Sequence, residues 1–273
     1  MNEAKAQSAS SRKALWRYVF GLVGVCVWVW AAIVSAQYVI GYLLLFILGP
    51  TTFSQPVWTS VYSALSYIVA MILIIWLPYG VITVRGKRHT EHKKSRKRTP
   101  HRDLVVMDRE GMGLSGFPTW TDIGLAPVGY IAYIILASIV VGFFTIFPWF
   151  NAGQAQDVGF DLYINGVDRV IAFATLVVIA PIAEEIIFRG WLYGIFRSKT
   201  AARLRSWGSI TLSILAVSIL FGIVHGQWNV GVNVFALSII LCGLREITGT
   251  IYAGILLHML KNGVAFYLLY MMH

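Results

Sequence analysis

Apolar residues fill seven stretches of this chain almost without interruption, broken neither by the alternation of a half-buried strand nor by the polar face of a surface helix. A bilayer core takes roughly 20 apolar residues in helical form. Runs of that order extend from about Arg17 to Leu48, Thr59 to Val84, Val128 to Phe150, Val170 to Phe196, Ser209 to His225, Val230 to Leu244 and Thr250 to Met272. Seven helical crossings are therefore predicted. The first run is too long for one perpendicular helix at about 1.5 Å of rise per residue, and Gly41 near its end is the expected place for a kink, a tilt or a surface turn. A secretory signal competes for the same run, since Lys5, Arg12, Lys13 and Arg17 precede it and Val34-Ser35-Ala36 has the small residues of a cleavage site. The apolar character continues past that point to Leu48, beyond a signal h-region of about 7–15 residues, so an uncleaved anchor is expected.

Composition sharpens the picture: 58% of residues are hydrophobic and 12% charged, with a mean hydropathy of +0.71, which excludes a soluble domain. The fold class expected is all-α, a polytopic membrane helical bundle of about seven to eight transmembrane helices. Its positive charge is clustered in the N-terminal tail, in Arg85 to Arg102, and in Arg197, Lys199, Arg203 and Arg205. An even number of crossings separates each pair of clusters, so all three fit the cytoplasmic side. Asp157, Asp161 and Asp168 then face outside. The expected location is the cell membrane, multi-pass, with a cytoplasmic N-terminus. The 85–102 run suits anionic lipid headgroups and is not read as a nucleic-acid patch. Asp103 to Pro127, punctuated by Gly and Pro, reads as a connector with Trp120 at the interface. Cys26 and Cys242, both in apolar runs, suit packed thiols and give no disulfide framework or metal spacing.

Candidate chemistry lies in the ionisable groups inside apolar runs, where a charge costs at least a few kcal/mol unless paired or used. Glu184 and Glu185 are adjacent. Glu185 and Arg189, four apart with the acid N-terminal, fit a same-face ion pair, so both are supporting candidates. Glu184 points about 100° away and is the candidate general base. Phe221 and His225 are four apart, as are His258 and Asn262, so each pair shares a helix face. A carboxylate with one imidazole can activate water, and a second imidazole with an amide can donate to the oxyanion formed at a peptide carbonyl. Taken singly, such polar residues serve equally well as interhelical hydrogen-bonding glue.

In order, Glu-Glu-x-x-x-Arg, Phe-x-x-x-His and His-x-x-x-Asn resemble the CPBP family, the type II CAAX prenyl endopeptidases and their bacteriocin-processing bacterial relatives. Arg189-Gly190-Trp191-Leu192-Tyr193-Gly194 and Thr248-Gly249-Thr250-Ile251-Tyr252 are similar to the bacterial branch. The resemblance covers about Val170 to the C-terminus. It implies an intramembrane endopeptidase in which Glu184 and His225 activate water while His258 and Asn262 stabilise the oxyanion, with Glu185, Arg189 and Phe221 in support. The implied substrate is a membrane-associated peptide or protein, in peptide maturation or self-immunity. The chain then divides into a basic tail (1–16), N-terminal transmembrane helices with a basic loop (17–127) and a CPBP-like catalytic core (128–273).

No cofactor is expected. Zinc held by Glu184, His225 and His258 is the alternative, and it requires three helices to supply tetrahedral geometry. The rival functions are a non-enzymatic immunity or scaffold protein and a proton-coupled transporter. Along the helices, Glu184 and His258 lie about 20 Å from their flanking arginines and His225 about 30 Å, so a tilted or broken fifth span, or a surface helix before Trp207 that sinks into the headgroups, is expected to bring the three level.

Overall fold

The computed structural model describes residues 2–53, 55–77, 109–154, 166–201 and 204–272. Among them, seven helices are long and apolar enough to cross a bilayer, and the architecture is an all-α bundle of the polytopic membrane type. The basic run 85–102 lies outside the described residues, as do Asp157, Asp161, Arg203 and the side chains of Lys5, Arg12, Lys13 and Arg17. Asp168 sits in the first turn of a helix rather than in a loop.

Helix α1 (Asn2–Leu48) is continuous. Gly41 does not interrupt it: a Cβ there would stand 3.4 Å from the Tyr62 ring, so the glycine serves a close helix approach and the expected break is corrected. The apolar part begins only at Val19. Ala36, in the segment resembling a cleavage site, is fully buried. After a short turn, α2 (Pro50–Phe53), α3 (Pro56–Met71) runs back along α1 and ends in a π turn, Ile72–Trp76.

Helix α4 (Trp120–Phe144) starts well before the expected Val128. Thr119 and Asp122 form a capping box, with Asp122 Oδ2 accepting from the Thr119 backbone N–H at 2.8 Å. This satisfies otherwise orphaned amides and starts the helix there. Pro127, taken as the end of a connector, is inside the helix and forfeits one backbone bond. The remaining spans are α5 (Gly166–Ala201), α6 (Ser206–Ile223), α7 (Trp228–Thr248) and α8 (Tyr252–Tyr270).

Packing separates two kinds of apolar face. On α4 the buried positions are the capping Asp122 and then Ala126, Gly129, Tyr133 and Ala137, while Val128, Ile131, Ile135 and Ile139 are exposed. Both sets recur at helical spacing, but the inward set is mostly small. Lipid is as apolar as leucine, so small residues that permit backbone approach mark the protein-facing side. A Cβ on Gly129 would come within 3.2 Å of Leu244 on α7 and Leu257 on α8. Between α6 and α7, a Cβ on Gly222 would meet the Gly231 carbonyl oxygen at 2.8 Å. At one end of the bundle Glu246 accepts from Arg197 at 2.6 Å and from Tyr193 at 2.7 Å, and Arg197 also donates to Ser209 at 2.6 Å. Three helices, α5, α6 and α7, are fastened there.

Candidate active site

Two π segments, Ala174–Ile179 and Ile186–Leu192, flank the short α-helical stretch Ala180–Glu185 that carries both glutamates of α5. Such wide turns are uncommon and recur at functional sites. The Arg189 guanidinium still reaches Glu185 Oε1 at 3.0 Å, and both side chains have no exposed surface. It also lies 4.2 Å from the centre of the Phe221 ring, a cation–π contact that gives the aromatic residue a support role. Glu185 fits against α8 because Gly254 is there: a Cβ would stand 3.2 Å from Glu185 Oε2.

His258 links the two glutamates. A carboxylate only accepts, so Nδ1–H donates to Glu185 Oε1 at 3.0 Å. This leaves Nε2 facing Glu184 Oε2 at 3.8 Å. Glu184 is turned away from Arg189, and its Oε1 accepts from the Tyr67 hydroxyl at 2.6 Å. One oxygen of Glu184 is thus held by α3 and the other faces α8. The order Arg189, Glu185, His258, Glu184, Tyr67 is a continuous chain of polar contacts across α5, α8 and α3.

His225 differs from expectation in local structure. Helix α6 ends at Ile223 with Val224 as its cap, so His225 lies in the turn before α7 rather than on a spanning helix. The turn is closed by Gly226 at φ 73°, in the left-handed region that favours glycine. His225 Nδ1 is 2.7 Å from the Phe221 carbonyl oxygen; a carbonyl cannot donate, so Nδ1 carries the proton and Nε2 stays free. The helix end supplies that carbonyl, left unpaired by the ladder. His225 and Glu184 line one cavity of about 170 Å³ between α1, α3 and α5. Asn262 has gone elsewhere: its Nδ2 donates to the Leu176 carbonyl at 2.8 Å, in the first π segment, fixing α8 against α5.

Two polar residues escaped the sequence reading. Tyr67 has no motif to signal it. Lys261 was legible, as an ammonium three residues after His258 inside an apolar run. It is partly exposed, makes no ion pair among the described residues, and lies within electrostatic range of Glu184 and His225. Among the described residues, no group of three or more His, Cys, Asp or Glu side chains is disposed to hold a metal ion.

This arrangement offers a carboxylate, a free imidazole nitrogen and a second imidazole backed by a buried ion pair. It sits where the chain matches a known family, described as "Type II CAAX prenyl endopeptidase Rce1-like", over residues 166–264. Residues 166–264 form a CAAX-protease-like domain. The domain occupies about a third of the chain and contains Glu184, Glu185, Arg189, Phe221, His225, His258 and Asn262. Neither a curated protein nor a solved structure gives a further match. Tyr67 and the α1–α3 wall of the cavity lie outside the matched segment.

Proposed function

We propose that this protein is an intramembrane endopeptidase that hydrolyses a peptide bond of a membrane-associated peptide or protein. The observation that carries the reading is the contact chain from Arg189 to Glu184, within the segment that matches the CAAX-protease family, ending at a cavity on the edge of that segment. Glu184 takes a proton from water as its oxygen attacks the scissile carbonyl, and the free Nε2 of His225 orients that water. The carbonyl oxygen becomes an oxyanion. His258, held by Glu185 in the manner of a carboxylate-backed histidine, enters as the doubly protonated imidazolium, keeps both protons through the cycle and donates its Nε2–H to the oxyanion. Collapse returns the proton from Glu184 to the leaving amine. Asn262 contributes through the second N–H of its amide and by holding α8 in register.

Several features support assigning Glu184 and Glu185 different roles. Glu185 is fully buried and carries two donors on one oxygen, whereas Glu184 retains partial exposure and borders the cavity. The reading also places the N-terminus in the cytoplasm, on the charge distribution.

The test compares membrane peptide profiles of cells carrying wild-type protein, Glu184→Gln and Asn262→Ala. Glu184→Gln should abolish product formation at unchanged folded yield, and Asn262→Ala should lose roughly 10²–10³-fold, the range for one oxyanion donor. A Glu184→Gln protein that retains its biological effect would favour the scaffold or immunity role. Loss of a proton flux with no change in any peptide would favour the transporter.

A further inference from the structure

The cavity beside Glu184 and His225 is walled largely by residues from α1 and α3, outside the matched segment. Its volume, about 170 Å³, is close to the cavity of about 150 Å³ that accommodates benzene. That is room for one side chain of leucine or phenylalanine size, not for a drug-sized ligand.

The α3 wall is a polar stripe on an apolar helix. Tyr62, Ser63, Ser66 and Tyr67 line the cavity at three- and four-residue spacing and so share a face. Ser63 Oγ donates to the Thr59 carbonyl at 3.0 Å, leaving its lone pairs to accept. Ser66 is buried, with the Tyr62 hydroxyl as its polar neighbour. Polar groups at membrane depth are expensive and mark sites of use. The opposite wall sets Ile187, Phe188 and Val224 beside Glu184 and His225.

Charge narrows the occupant. Among the described residues, Glu184 and His225 are the ionisable lining groups apart from the two tyrosines, and no lysine or arginine lines the space. An acidic side chain would meet Glu184 with like charge. A basic one would pair with Glu184 and occupy the carboxylate that must take a proton from water. Only a neutral side chain leaves the site competent.

We propose that this cavity is the subsite for one neutral, leucine- to phenylalanine-sized side chain next to the scissile bond, with Tyr67 as the residue that positions Glu184 at its edge. The inference rests on the endopeptidase reading. Tyr67 fixes Glu184 Oε1 by donating to it at 2.6 Å, so the carboxylate is oriented before water arrives, and pre-orientation of a reacting group lowers the barrier without strengthening substrate binding. The polar stripe receives the N–H groups of the adjoining substrate backbone on Ser63.

The experiment uses the full chain in proteoliposomes with internally quenched decapeptides bearing an N-terminal octanoyl group, randomised at one position at a time. Wild type should favour neutral bulky residues at a single position and discriminate against charged ones there. Ser63→Leu, or Ser63→Val should the larger substitution fail to fold, should move that preference at least tenfold toward glycine and alanine. Ile68→Phe on the exposed face of α3 should keep the wild-type profile. Tyr67→Phe should lower kcat about tenfold, as for loss of one hydrogen bond to a charged group, with KM unchanged; a merely structural role would move neither selectively. Cleavage by wild type with an unaltered profile in the Ser63 variants and unaltered kcat in Tyr67→Phe would overturn this inference alone. Wild-type cleavage no higher than that of Glu184→Gln would overturn the endopeptidase reading and the subsite with it.

Discussion

Replacing Arg189 by methionine strands a carboxylate in the centre of the bundle. Glu185 and Arg189 have no exposed surface and meet at 3.0 Å. The pair is already sparingly bonded: among the described residues, Glu185 Oε2 has no hydrogen bond of regular geometry. Removing one member of a buried pair costs about 3–5 kcal/mol because the other charge is left uncompensated. The loss of the guanidinium over Phe221 adds roughly 0.5–2 kcal/mol. Against this, His258 donates to the same Glu185 oxygen at 3.0 Å, a contact that survives the substitution. That relief places the expected loss near the lower end, about 3 kcal/mol. The assay is a double-mutant cycle by tryptophan fluorescence during unfolding in mixed micelles, with Arg189→Met, Glu185→Gln and the double variant. The double variant, which leaves no stranded charge, should be more stable than either single one. An Arg189→Met protein within about 0.5 kcal/mol of wild type, or a double variant whose loss is the plain sum of the two, would refute the reasoning.

If the protein is the endopeptidase proposed above, Lys261→Met should lower its activity about tenfold, the equivalent of about 1.4 kcal/mol, by removing a cation within electrostatic range of Glu184. Its thermal stability in detergent should hold or rise, since a cation without an ion-pair partner at membrane depth is costly; unchanged activity would show the ammonium to be a bystander. Gly222→Ala drives a Cβ to 2.8 Å from the Gly231 carbonyl oxygen, and overpacking of that kind should cost about 1–3 kcal/mol and displace the His225 turn, as read by unfolding and by activity. For topology, a membrane-impermeant thiol reagent on intact cells should label a cysteine at Asp157 and spare one at Ser95, in a background lacking Cys26 and Cys242; the opposite pattern inverts the orientation.

The sequence by itself determined that this is a membrane bundle, because runs of apolar residues long enough to span a bilayer admit few structures that satisfy every backbone hydrogen bond. It also singled out most of the polar residues gathered at the site, since each intramembrane charge is conspicuous against its surroundings, and it set Glu185 with Arg189 apart from Glu184 through helix geometry alone. Boundaries were less legible. The glycines and prolines between Asp103 and Pro127 read as a connector, although the Thr119 and Asp122 pair that starts α4 lies in the same stretch.

Only the tertiary structure decided which apolar face of each helix turns inward, because Val128 and Ala126 are both apolar and it is the smaller, less hydrophobic one that is buried. It moved His225 off the end of α6, tied Asn262 to the Leu176 carbonyl and brought Tyr67 against Glu184. Contacts such as these depend on how whole helices pack, through side-chain volumes and orphaned carbonyls distributed over the chain. Spacing within one helix fixes which residues share a face, and the packing of several helices fixes what that face meets.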